Sequence, residues 1–112
     1  MTVAVVGSRD TEKDYTDEII GNIPSGCTKI VSGGAVGIDS CAQQAAKRLG
    51  IDFLAILPDY DKYGKSAPIV RNCEIIESAD YVIGFWDYSS AGTKFVIKEC
   101  LKRNKPIKII KI

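Results

Sequence analysis

The hydrophobic residues of the chain concentrate in five short runs that are rich in β-branched side chains. These runs are Val3–Val6, Lys29–Ser32, Phe53–Leu57, Tyr81–Phe85 and Ile107–Ile112. The first four show little alternation between apolar and polar residues, which is typical of strands buried on both faces. The fifth alternates in part, and this pattern predicts an edge strand.

Four segments between these runs repeat apolar residues at helical spacing. Their apolar stripes are Tyr15, Ile19 and Ile23; Ile38, Ala42, Ala45 and Leu49; Ile69, Cys73 and Ile76; and Val96, Ile97, Cys100 and Leu101. Gly50 is placed to end the second helix, and Pro68 lies in the predicted first turn of the third. Strict alternation of strands and helices predicts one α/β domain with a doubly wound parallel sheet of five strands and four helices.

Charge and cysteine content narrow the classes of function. The net charge of +1 argues against a dedicated duplex-DNA binder, although residues 94–112 carry seven basic side chains and one acidic side chain. We interpret this basic tail as a solvated helix face and edge strand. The four cysteines form no C-x-x-C pair and histidine is absent, so no metal site is predicted. With no signal peptide and no apolar run that could span a membrane, we expect a cytoplasmic protein.

Glycine and polar residues follow the strands at the edge where ligands bind in doubly wound sheets. Gly33, Gly34 and Gly37 precede the second helix. They either form a tight turn or let the backbone approach a phosphate at the helix N-terminus. Gly92 and Thr93 repeat this arrangement before the fourth helix, which favours an anionic ligand.

Charged and aromatic residues of the same loops have two interpretations each. Arg9 either holds a phosphate or pairs with a neighbouring carboxylate. Asp39 and Asp87 can accept hydrogen bonds from ribose hydroxyls, and Asp39 can equally be a first-turn carboxylate that faces the helix dipole. Four aromatic residues can either stack on a base or only pack, namely Tyr60, Tyr63, Trp86 and Tyr88. Neither the G-x-x-x-x-G-K-[ST] loop nor G-x-G-x-x-G is present.

Four segments in order carry a resemblance to a known family: "VAVVGSRD", "IVSGGAVGIDSCAQQAAKRLGI", "DYDKYGKSAPIVRN" and "ADYVIGFWDYSSAGTKFVIKECLKRNKPIKII". They resemble the SLOG superfamily, which includes the DNA-processing protein A (Smf) family and the LOG nucleotide hydrolases, and most of all its small YspA-like branch. The resemblance implies a Rossmann-like fold of strand order 3-2-1-4-5, self-association into a homo-oligomer, and a pocket for a nucleotide or nucleotide-derived ligand. It places the following residues at that pocket: Gly7, Ser8, Arg9, Ser32, Gly33, Gly34, Gly37, Asp39, Lys65, Arg71, Asn72, Asp87, Ser90, Gly92 and Thr93.

The chain departs from the patterns of its apparent relatives. Val96 stands where LOG hydrolases have a glutamate three residues after the threonine. Tyr60 replaces a tryptophan and Pro68 a glycine of the YspA-like pattern.

These features lead us to favour a module that binds or senses a nucleotide-type small molecule, with no other cofactor and with nucleic acid as a less favoured partner. One alternative is hydrolysis or transfer at an N-glycosidic bond, with Asp39 or Asp87 as nucleophile or general base. The other is a minimal single-stranded DNA binder that uses the basic tail and Trp86.

Overall fold

The sheet has five parallel strands in the order β3-β2-β1-β4-β5. In this computed structural model, residues 1–8, 13–34 and 36–112 are described. The strands are β1 (Thr2–Gly7), β2 (Lys29–Ser32), β3 (Asp52–Ala55), β4 (Tyr81–Trp86) and β5 (Ile107–Lys111). The predicted fold class and strand order are confirmed.

Helices connect each strand to the next. They are α1 (Thr16–Asn22), α2 (Ile38–Leu49), the single-turn α3 (Tyr60–Tyr63), α4 (Ala67–Ser78) and α5 (Ala91–Lys102). A 3₁₀ turn, Gly64–Ser66, joins α3 to α4. The four predicted helices correspond to α1, α2, α4 and α5, and α3 is an additional turn in the long loop after β3.

Two apolar layers hold the helices on opposite faces of the sheet. Helices α1 and α2 pack with Val3, Val5 and Phe85 on one face. Helices α4 and α5 pack with Ala4 and Val6 on the other. Adjacent residues of β1 therefore point into different layers, which explains why the first run lacks polar positions. No helix within the described ranges is long and apolar enough to cross a membrane.

Several details of the apolar pattern were predicted wrongly, and the stripe residues Leu49 and Leu101 are exposed. Strand β3 ends at Ala55 and alternates between exposed and half-buried residues, because it lies at the edge of the sheet. In α4 the predicted stripe began at Ile69, yet Ile69 is exposed while Arg71 and Ile75 are buried. The helix is thus turned so that a guanidinium group, and not Ile69, faces the sheet.

Candidate functional site

A cavity of about 420 Å³ opens at the carboxyl ends of the strands, on the face covered by α4 and α5. It lies where the strand order reverses between β1 and β4, the position at which open α/β sheets bind ligands. Ten of the fifteen residues predicted for the pocket line it: Gly7, Ser8, Gly33, Asp39, Arg71, Asn72, Asp87, Ser90, Gly92 and Thr93.

The N-terminus of α5 forms one wall of the cavity. Ser90 is its N-cap residue, and the Ser90 hydroxyl lies 3.2 Å from the Thr93 hydroxyl instead of capping a backbone N–H group. The first-turn N–H groups have no partner inside a helix, and the helix dipole adds positive potential there. A Cβ atom added to Gly92 would meet open space. This helix end is therefore open to an anion.

Ser8 faces the same cavity with a buried hydroxyl. Its side chain is only 4% exposed, and no described residue forms a hydrogen bond with its Oγ atom. A buried polar atom without a partner costs free energy and calls for an explanation. A ligand oxygen in the cavity is the simplest partner for this hydroxyl.

Asp87 shapes the loop between β4 and α5. Its Oδ1 atom accepts hydrogen bonds from the backbone N–H groups of Ser89 at 2.9 Å and Ser90 at 2.8 Å. These two bonds hold the pKa of the carboxyl below its usual value. A carboxylate stabilised in this way is a weak base, which argues against Asp87 as the general base of a glycosidase.

Arg71 enters the cavity from α4. The residue is 8% exposed, its Nη1 atom donates to the Gly33 carbonyl at 3.0 Å, and its Nε atom donates to Asn72 at 2.9 Å. A Cβ atom on Gly33 would lie 2.7 Å from Arg71 Nη1 and 3.0 Å from Asp39 Oδ2. A side chain at this position would displace the guanidinium or the carboxylate from that space.

Asp39 occupies the N-terminus of α2. Its Oδ1 atom accepts a hydrogen bond of 2.6 Å from the buried Ser32 hydroxyl, and the Ile38 N–H group donates to the Ser8 carbonyl. A carboxylate at this end of α2 disfavours a second anion there, whereas the first turn of α5 contains no acidic residue.

The remaining glycines of the predicted cradle have structural roles. Gly34 and Gly37 have φ angles of +73° and +79°, which L side chains rarely adopt, so both form the turn before α2. A Cβ atom on Gly34 would lie 2.7 Å from Leu57 Cδ2, outside the cavity lining. Gly7 does line the cavity, and its lack of a side chain lets Ile38 pack against the end of β1.

Several predicted residues are not among the described residues that line the cavity. Arg9 lies outside the described residues. Ser32 acts through Asp39, and Lys65 lies exposed in the 3₁₀ turn. The tyrosines of the loop after β3, Tyr60 and Tyr63, are also not part of the lining.

The sequence analysis missed the apolar residues of the cavity lining. These residues are Val6, Pro68, Ile75 and Val96. Val96 is buried in the wall at the position where LOG hydrolases have a glutamate, and Glu99 instead accepts a hydrogen bond from Arg103. The helical spacing from Thr93 could have placed Val96 at the cavity.

The strand order defines a Rossmann-like α/β domain, with a cavity at its switch point. The chain belongs to the DNA recombination-mediator protein A family, whose model matches residues 1–109. No curated protein shows significant similarity to the chain.

Two solved structures share the fold. DNA processing protein A from Streptococcus pneumoniae superposes with a TM-score of 0.79 at 23% identity, over 96% of this chain and 49% of that one. DNA processing protein A from Helicobacter pylori was studied for its single-stranded DNA binding mode. It superposes with a TM-score of 0.72 at 23% identity, over 97% of this chain and 64% of that one. The chain thus spans about half to two thirds of the length of these proteins.

The predicted partner needs a correction. We expected a nucleotide-type small molecule and did not favour nucleic acid, but the chain belongs to a DNA-processing family and shares its fold with a protein that binds single-stranded DNA. The net charge of +1 argued only against a duplex-DNA binder, and it describes the whole surface and not one cavity or helix face. Self-association, a cytoplasmic location and membership of the YspA-like branch stay predictions.

Proposed function

We propose that this chain binds single-stranded DNA and holds one backbone phosphate in the cavity. The observation that carries the proposal is the buried Ser8 hydroxyl, which has no partner among the described residues and faces the same cavity as the open N-terminus of α5. A phosphate oxygen accepts hydrogen bonds from both kinds of donor. Helix N-termini are recurrent binding sites for phosphate groups.

The charges of the cavity favour a bound nucleotide with the phosphate at α5. Arg71 contributes positive charge from α4, and the Asp39 carboxylate lies at the N-terminus of α2. The Asp87 carboxylate lies in the loop before α5, where it holds the Ser89 and Ser90 N–H groups. Carboxylates accept hydrogen bonds from base amino groups or sugar hydroxyls. A nucleotide therefore fits best with its phosphate at the first turn of α5 and Ser8 and its sugar or base toward Asp39.

Basic side chains outside the cavity are available to bind further phosphates of the DNA strand. Lys94, Lys98 and Lys102 lie exposed on α5 at intervals of one helical turn. Each Lys that neutralises a phosphate releases a counterion, so affinity falls as salt rises. An oligonucleotide that contacts the cavity and this stripe should bind more tightly than a mononucleotide.

Fluorescence anisotropy with a labelled oligothymidylate, over a range of salt concentrations, tests the proposal. Gly92→Val places a side chain at the first turn of α5, where an added Cβ atom meets no neighbour, and should weaken binding about ten- to a hundredfold. Gly21→Val is the matched control, because Gly21 also lies in a helix and also faces open space. This control should bind like the parent chain.

Three results would contradict the proposal. They are absence of salt-dependent binding by the parent chain, equal binding by Gly92→Val and Gly21→Val, and a mononucleotide that binds as tightly as the oligomer.

A further inference from the structure

Tyr88 is an exposed aromatic residue at the rim of the cavity. Its neighbours in the chain, Asp87 and Ser89, line the cavity, while Tyr88 itself is 59% exposed and is not part of the lining. Its φ angle is +67°, in the left-handed region that aromatic residues rarely adopt. Such strain persists where the surrounding structure enforces it, often at functional sites.

Neighbouring groups hold the Tyr88 ring in place. The Trp86 ring packs edge to face against it, with the two ring centroids 4.9 Å apart. Trp86 is itself fixed by a hydrogen bond of 3.1 Å from its Nε1 atom to the Ser90 carbonyl. The Asp87 carboxylate fixes the same loop through the Ser89 and Ser90 N–H groups. The loop therefore presents an oriented ring to solvent.

A basic side chain accompanies this ring. Lys111 pairs with Trp86 in the register of β4 and β5, which places it at the same edge of the sheet as the cavity. Its Nζ atom lies 5.3 Å from the centroid of the Tyr88 ring. Stacking rings next to basic side chains are the combination that binds single strands without sequence preference.

We infer that Tyr88 is a stacking platform for the base next to the nucleotide in the cavity, and that Lys111 binds the phosphate of that neighbouring nucleotide. This inference rests on the proposed function. The cavity holds one nucleotide, and the DNA strand leaves the cavity past Asp87 toward β5. The base takes the place of the Lys111 ammonium group on the ring, and the ammonium group moves to the phosphate.

Two variants distinguish the effect of the Tyr88 ring on binding from the effect of the loop conformation. Tyr88→Phe keeps the ring and should bind the oligothymidylate as the parent chain does. Tyr88→Asn removes the ring but tolerates a positive φ angle, so the loop should keep its conformation. We expect Tyr88→Asn to weaken binding of a single strand between fivefold and about a hundredfold.

Trp86 gives a direct measure of stacking, because it is the only tryptophan of the sequence and packs on Tyr88. A normal single strand should change Trp86 emission, whereas an oligomer with abasic sites should bind without that change. Lys111→Gln should reduce the slope of log affinity against log salt by about one.

The outcomes distinguish this inference from the proposed function. If the parent chain binds the oligomer and Tyr88→Asn binds it equally well, the stacking platform is wrong and the cavity proposal stands. The same conclusion follows if normal and abasic oligomers change Trp86 emission alike. If the parent chain does not bind, both proposals are wrong.

Discussion

Replacing Ser8 with alanine should change the stability of the fold and the binding of DNA in opposite directions. The Ser8 side chain is 4% exposed, and its hydroxyl has no hydrogen-bond partner among the described residues. Ser8→Ala removes this hydroxyl and keeps the Cβ atom. The variant therefore loses a buried polar group that the free protein does not satisfy, and also the donor that we assign to the phosphate.

The change in stability follows from the cost of a buried polar group without a partner, and the change in affinity follows from the free energy of a hydrogen bond to a charged group. A buried donor without a partner costs about 1–3 kcal/mol, so we expect the free energy of unfolding to rise by roughly 1 kcal/mol. For a domain of this size that is an increase in Tm of about 4 °C. A hydrogen bond to a charged group contributes about 1.5–3 kcal/mol, so affinity for the oligomer should fall about ten- to a hundredfold.

Urea unfolding followed by circular dichroism measures the first effect, and anisotropy with the labelled oligothymidylate measures the second. Ser78→Ala is the control for binding, because Ser78 ends α4 and its hydroxyl donates to the Ile75 carbonyl at 2.8 Å. This control should leave affinity unchanged.

Either half of the result can refute the reasoning. If Ser8→Ala unfolds at lower urea concentration, the hydroxyl has a stabilising partner within the fold. If the variant is more stable but binds DNA with the affinity of the parent chain, Ser8 does not contact the ligand and the phosphate does not lie between Ser8 and α5.

Gly34→Val should destabilise the fold by about 1–2 kcal/mol in urea unfolding because its φ angle is +73°, while the folded fraction binds DNA normally; a loss of affinity in the folded variant would place Gly34 at the site. Asp87→Asn keeps an acceptor for the Ser89 and Ser90 N–H groups but removes a negative charge from the cavity, so anisotropy should show affinity raised several-fold. Since the folded-state pKa of Asp87 is depressed, its contribution to stability is present above the unfolded pKa of about 4 and is lost as the pH falls through the folded value. The parent chain should therefore lose more stability than Asp87→Asn in urea unfolding between neutral pH and pH values below about 4, and parallel profiles would show that Asp87 is not stabilised as its contacts indicate.

The alternation of strands and helices predicted the fold class because strand runs and helical stripes have different periods. The strand order came from the resemblance, since hydrophobic periodicity does not say which strands are neighbours. The same limit explains the error at β3. Its run looks as apolar as that of a central strand, and only its place at the edge of the sheet leaves Leu54 exposed.

The glycine run before α2 illustrates what the sequence could predict about the site. Gly34 and Gly37 form a turn, as the first interpretation expected, while Gly33 allows close contact with Arg71 and Asp39, a role that neither interpretation included. Both roles call for glycine, so the residue type alone cannot distinguish a turn from a close contact. The hydrophobic pattern could not predict that Arg71 is buried, because a stripe that includes Ile69 fits helical spacing equally well.

The two helix N-termini at the cavity look alike in sequence but differ in their charge. Both follow glycine-containing or serine-containing loops, and both direct their first N–H groups toward the carboxyl edge of the sheet. Helix α2 has Asp39 in its first turn, whereas the first turn of α5 contains no acidic residue. The Asp39 carboxylate disfavours an anion at α2, whereas the Asp87 carboxylate is held by the Ser89 and Ser90 N–H groups before α5 begins. We therefore propose that a nucleotide lies with its phosphate at the first turn of α5 and that the rest of the DNA strand continues past Tyr88.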